Sequence, residues 1–157
     1  MRNFTVIVMF ISLSVIGAMI KIPAIVGSVA LDSFPAVLAA ILLHPVVGGI
    51  VAFAGHFLSS LLVGFPLGGF HLLIAAEMFA LVYLFGILFR QSKWGALITA
   101  ILLNGLVLPL PFYAIMGSAF YVAIVPSLLI AAVVNVGVAL LLAPRLAAFL
   151  TKRGLGS

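Results

Sequence analysis

The sequence predicts an all-α membrane protein: one domain, residues 1–157, built as a bundle of six transmembrane helices with both termini in the cytoplasm. Three observations carry this. The chain is 67% hydrophobic and 6% charged, whereas a soluble domain of this length uses about a quarter charged residues. Continuous apolar runs occupy 4–20, 46–63, 72–89, 94–116 and 119–142, and roughly 20 apolar residues cross about 30 Å of hydrocarbon. The seven Lys and Arg residues are placed unevenly between the connections, which is how orientation is written into a membrane chain.

The first element spans 4–20. Arg2 before an apolar stretch imitates a secretory signal, but the run ends at Lys21-Ile22-Pro23 without a small-residue cleavage pattern, so it is a spanning helix. The second and third elements divide residues 33–63. Pro45 has no amide donor and disfavours helix at His44, so "LLHPVVGG" (42–49) separates a short helix, 33–43, from a longer one, 46–63. "DSFP" opens the short helix, with Asp32 or Ser33 as N-cap and Pro35 in the first turn. The fourth, fifth and sixth spans are 71–89, 94–116 and 119–142, and Pro109 and Pro111 bend or loosen the fifth.

Charge decides the count. Six spans put Arg2, Arg90, Lys93, Arg145, Lys152 and Arg153 on the cytoplasmic side and leave only Lys21 outside. Five spans would set the Arg90–Lys93 loop and the tail opposite Arg2, against the positive-inside rule. The outer connections are then the 21–33 loop, "GFPLGGF" (64–70) and a tight turn at Gly117-Ser118; "HPV" and "RQSK" are the inner ones. A strand barrel is excluded because the apolar runs do not alternate. The net charge of +5 comes without a basic, aromatic-interleaved patch, so nucleic acid is no partner; the bilayer is.

Polar groups inside the bilayer are costly unless paired, neutralised or facing a wet cavity. Two of three histidines and one of two acids fall within "GHFLSSLLVGFPLGGFHLLIAAEM" (55–78). Glu77, nearly two turns below the outer end of its helix, is the leading candidate for a ligand contact; the plainer reading is a protonated or His-paired carboxyl. His56 shares a helix face with Ser59 and Ser60, as a ligand contact or an interhelical cluster. His71 opens the next helix at the outer surface. Asp32 reads as an N-cap or a contact, and Asn104 and Asn135 as contacts or helix glue. Tyr113 and Tyr121, with Phe112 and Phe120, gather near the outer ends of the last spans, as an interfacial belt or a stacking surface.

Catalysis finds little support. Aspartyl chemistry needs two neighbouring carboxylates; the chain has one Asp and one Glu. Ser59 and Ser60 share the face of His56 but lack a nucleophile turn or an oxyanion motif. There is no cysteine, phosphate loop or acidic metal cluster, so no cofactor or metal is expected.

Several stretches resemble a known family: "GAMIKIP" (17–23), "VGSVALDSFPAVLAAILL" (26–43), "GHFLSSLLVGFPLGGFHLLIAAEM" (55–78) and the compact tail. They resemble S components, the substrate-capturing subunits of energy-coupling factor (ECF) vitamin transporters, and most of all the branch linked to α-ribazole, a nucleoside precursor of cobalamin. The resemblance implies a chain that hydrolyses nothing itself. It would bind a scarce vitamin or precursor from outside, then topple in the membrane when docked to a transmembrane coupling protein and two ATPases. It further implies that the 21–33 loop, with its mobile Gly27, closes over the substrate. Small residues of the first helix, Ser14, Gly17 and Ala18 in "SVIGA", would meet the coupling protein. The ligand would be held by Glu77, His56, His71, Asp32, Asn104, Ser60, Tyr113 and Tyr121. The rival reading is a self-sufficient proton-coupled carrier or channel.

Overall fold

The fold positions its polar groups through one long hairpin-like succession of antiparallel helices. The computed structural model describes residues 2–23 and 28–152. Gly27 and Arg153 lie outside the described residues. Helix α1 is Arg2–Met19, followed by strands β1 (Lys21–Pro23) and β2 (Ser28–Ala30). Helices α2 (Phe34–Leu42), α3 (Pro45–Leu62) and α4 (Phe70–Phe89) come next. Then α5 (Lys93–Leu102) runs into a π-helical turn, Leu103–Val107, and on to α6 (Leu110–Met116) and α7 (Ser118–Lys152). The connections at 20–33, 63–69 and Gly117 share one end of the bundle, the ribbon end; those at 43–44 and 90–92 share the opposite, basic end.

Four stretches are long and apolar enough to cross a membrane: Pro45–Leu62, Phe70–Phe89, Lys93–Met116 and Ser118–Ala148, with Phe4–Met19 a shorter apolar helix. Helix α2 has nine residues and rises only about 14 Å. It is enclosed: Pro35, Ala36, Val37, Leu38, Ala39 and Ala40 are all buried. A helix apolar on every side belongs inside a bundle, and α2 packs against α1, α3, α4 and α7. Small residues permit this. A Cβ at Gly48 of α3 would meet Ala40 at 2.5 Å, and one at Gly49 would meet the Phe79 ring of α4 at 2.9 Å.

The break between α2 and α3 follows from Pro45. His44 is extended (φ −157°, ψ 145°) and caps α3, its Nδ1 accepting from the Val46 N–H at 3.3 Å. Gly64, at φ +79°, ends α3. The Gly64 N–H donates to the Leu61 carbonyl (3.1 Å) and the Phe65 N–H to the Ser60 carbonyl (2.9 Å), the paired bonds of a Schellman close.

Three sequence expectations are corrected, and that for the fifth span is made specific. The 21–33 loop is not wholly irregular: β1 and β2 pair antiparallel, with Lys21 opposite Ala30 and Pro23 opposite Ser28. Neither Asp32 nor the Ser33 side chain caps α2; Ser33 is αR and its hydroxyl donates instead to Asp32 Oδ1 at 2.9 Å. The fifth span is loosened beside its prolines, by a π turn at Leu103–Val107. Pro109 and Pro111 supply no N–H to the carbonyls of Gly105 and Val107, and the chain widens so that the Leu108 N–H reaches Leu103 at 2.9 Å. The sixth helix does not stop near 142 but runs to Lys152 through Pro126 and Pro144.

Candidate functional site

Two polar constellations lie inside the bundle. The first surrounds a small cavity of about 30 Å³ between α2, α4, α5, the π turn and α7. Its apolar wall is Met78, Leu81, Val82 and Phe85 of α4 with Val37 of α2; its polar wall is Ser33, Asn104 and Asn135. Asn104 sits in the π turn, and its carboxamide bonds to no other described residue. The π turn is what displaces it from the regular helical register, and such turns recur at functional positions.

Asn135 of α7 is 3% exposed and fully committed. Its Oδ1 accepts from the backbone N–H groups of Ser33 (3.0 Å) and Phe34 (2.9 Å). Its Nδ2 donates to the carbonyls of Ala30 (2.9 Å) and Ala131 (3.0 Å). The cap of α2 therefore comes from α7, 101 residues away in sequence.

Glu77 is half-buried on α4 and forms no hydrogen bond or ion pair with a described residue. Leu81, a wall of the cavity, follows it by four residues and so lies one turn along the same side of α4. Asp32 is half-buried at the junction of ribbon and α2, and burial pushes its carboxyl above the usual carboxylate range, opposed by the Ser33 hydroxyl.

The second constellation lies beneath the 63–69 hairpin. The Leu67 N–H donates to His71 Nε2 (3.3 Å), and His71 Nδ1 lies 3.3 Å from His56 Nε2. Since Nε2 of His71 accepts, the neutral ring carries its proton on Nδ1 and donates it to His56, whose own proton is then on Nδ1. Phe65, in the left-handed region at φ +49°, is held there by ring contacts to Phe57 (5.4 Å) and His71 (5.8 Å). That conformation costs a non-glycine residue about 1 kcal/mol or more, so the hairpin and the His71 ring hold each other in place. His71 is 8% exposed, a buried hub and not the surface histidine the sequence suggests.

The other expected contacts fall elsewhere. Ser60 is buried and donates to the Phe57 carbonyl (2.8 Å), as Ser59 does to that of His56 (3.0 Å), so neither hydroxyl donates to the His56 ring. Tyr121 donates to the Leu106 carbonyl (2.8 Å), inside the π turn, and meets Tyr113 edge-on at 5.7 Å. With Tyr113 half exposed on the bundle flank, this pair braces the π turn. Ser14 and Gly17 do not face outward either. Ser14 is 1% exposed and packs on Gly55, and Gly17 lies against the Leu31 carbonyl, leaving Ala18 only partly exposed. Their smallness is used within the bundle, where α1 meets α3 and the ribbon base.

An apolar helical bundle whose cavity wall carries an amide bonded to no other described residue is suited to binding a ligand. The family of ECF transporter substrate-specific components matches residues 2–154, and the chain belongs to it. One similar solved structure is described as the S component of a bacterial ECF transporter; it shares 24% identity, with a TM-score of 0.69 over 95% of this chain and 97% of that one. This likeness establishes the fold. No curated protein matches the chain. The protein is accordingly a substrate-binding transport subunit with several helices long and apolar enough to cross a membrane.

Proposed function

We propose that the chain captures a vitamin or vitamin precursor, most closely α-ribazole for cobalamin synthesis, at the ribbon end of the bundle. Both termini and the basic end face the cytoplasm, and a transmembrane coupling protein with two ATPases supplies the energy. The observation that carries the reading is the position of Asn104: a carboxamide without a partner among the described residues, held by a π turn in the wall of an interior cavity. Glu77 immediately precedes Met78 of the cavity wall and lies one turn from Leu81, within reach of a ligand that widens the cavity. A nucleoside supplies hydroxyl donors for Glu77 and ring acceptors for the amide. His56 and His71 shape the mouth; Asp32 lies at the ribbon's foot. Ser60, Tyr113 and Tyr121 have structural roles.

A vitamin-sized ligand needs a site of roughly 300 Å³ or more, so the 30 Å³ cavity must widen to take one. Native mass spectrometry of the purified protein, seeking a co-purified small molecule, tests the class of ligand. Uptake into proteoliposomes by the chain alone would instead support the proton-coupled carrier, with Glu77 and the histidines as its relay.

A further inference from the structure

We infer that Tyr121 is a positioning residue for ligand binding: its hydrogen bond to the Leu106 carbonyl holds the π turn in the form that keeps the Asn104 carboxamide in the cavity wall. This role rests on the reading of Asn104 as a ligand contact and names what sets that amide in place. Asn104 lies inside the loop that the Leu108 N–H closes on the Leu103 carbonyl at 2.9 Å. Its side chain bonds to no other described residue, so the backbone of the turn alone decides where the amide stands.

Three carbonyls shape that backbone. In an α-helix those of Gly105, Leu106 and Val107 accept from the N–H groups of residues 109, 110 and 111. Pro109 and Pro111 have no N–H, so the first and the last cannot return to α-helical pairing. Leu110 keeps its N–H, and the Leu106 carbonyl is therefore the one through which the turn can tighten. That carbonyl accepts the Tyr121 hydroxyl of α7 at 2.8 Å. Leu106 lies on the flank of the bundle, 38% exposed, where hydrocarbon supplies no water and a freed carbonyl must find a protein donor. Removing the hydroxyl hands the carbonyl back to Leu110 and draws the turn toward α geometry. A second contact from α7 sits beside the first, because the Leu129 side chain fills the space where a Cβ on Gly105 would lie. Helix α7 also gives Ala131, Ala132 and Asn135 to the cavity, so one helix both walls the site and sets the place of Asn104 within it.

The test is a double-mutant cycle read by calorimetric Kd for α-ribazole. Tyr121→Phe removes the hydroxyl and keeps the edge-on ring contact with Tyr113. It should weaken binding about fivefold or more, the net worth of one hydrogen bond, and weaken it no further in the Asn104→Leu background. Equal losses in both backgrounds would show general support of the fold and overturn the positioning role. So would unchanged affinity in Tyr121→Phe beside weakened binding in Asn104→Leu. A second readout needs no ligand. In protein carrying isotope-labelled asparagine, the side-chain amide resonances of Asn104, assigned by their loss in Asn104→Leu, should move or split in Tyr121→Phe. Resonances that stay in place overturn the positioning role whatever binds. No binding to wild type, or wild-type affinity in Asn104→Leu, would contradict the ligand reading instead, and the resonances then decide the positioning alone. If Tyr121→Phe does not fold, Leu129→Ala, which removes the neighbouring contact, goes through the same cycle and decides by the same pattern.

Discussion

His56 and His71 meet across the α3–α4 interface at 3.3 Å, and the second ring also takes the Leu67 N–H of the hairpin that joins the two helices. Two helices and their connection are thus tied by one side chain. His71→Ala removes both bonds and leaves the Leu67 N–H unpaired, which should destabilise the protein by about 1–3 kcal/mol. A thermal melt in detergent reads this, and a double-mutant cycle with His56→Ala should return a coupling of about 0.5 kcal/mol or more. Additive losses would show that the rings are neighbours without a shared bond.

Gly17 faces the Leu31 carbonyl with no room for a Cβ. Gly17→Ala should push the ribbon base off α1 at a cost of about 1–3 kcal/mol or more, seen as a lower Tm and poor recovery of folded protein. Gly69→Ala is the control. Gly69 is at φ −62°, with open space where its Cβ would be, and its melt should match wild type.

Ser14 is the one buried side chain among the described residues whose polar atom, Oγ, has no hydrogen-bond partner. Ser14→Ala keeps the contact with Gly55 and removes an unsatisfied hydroxyl, so it should leave the Tm unchanged or raise it. A fall of several degrees would mean that the hydroxyl is bonded in the bilayer.

Asp32 has a carboxyl raised by burial. A carboxyl whose folded pKa exceeds its unfolded value stabilises the fold only while protonated, and that contribution is lost as pH rises from the ordinary value of 3.8 through the raised one. Asp32→Asn is neutral throughout. Its Tm should equal that of wild type at the acid limit and exceed it increasingly toward neutral pH. Parallel Tm curves would show that Asp32 is solvated.

The spans were readable because length and apolarity are local properties: the runs at 46–63, 72–89 and 94–116 place α3, α4 and the α5–α6 stretch to within a few residues. The α2–α3 break was readable because Pro45 acts on its own neighbour. Nothing local revealed that the cap of Ser33 and Phe34 comes from Asn135, since that bond spans a hundred residues of chain. The same holds for Ser14 and Ala18 with Gly17 beside them: small residues at that spacing announce a close helix contact, but not whether the contact is with a partner or with α3 and Leu31. Within the site, Asn104 and Glu77 stood out as polar groups in apolar helices. Tyr121 stood out equally, and only the π turn shows that its hydroxyl serves the Leu106 carbonyl.

The central claim is that a vitamin precursor binds beside Asn104 and Glu77. Calorimetric titration of α-ribazole into wild type, Asn104→Leu and Glu77→Gln tests it most directly. One-to-one binding with Kd about 1 μM or tighter, weakened about tenfold or more in each variant by the loss of charged or buried hydrogen bonds, is the predicted result. Wild-type affinity retained by both variants, or no binding to wild type, would contradict it.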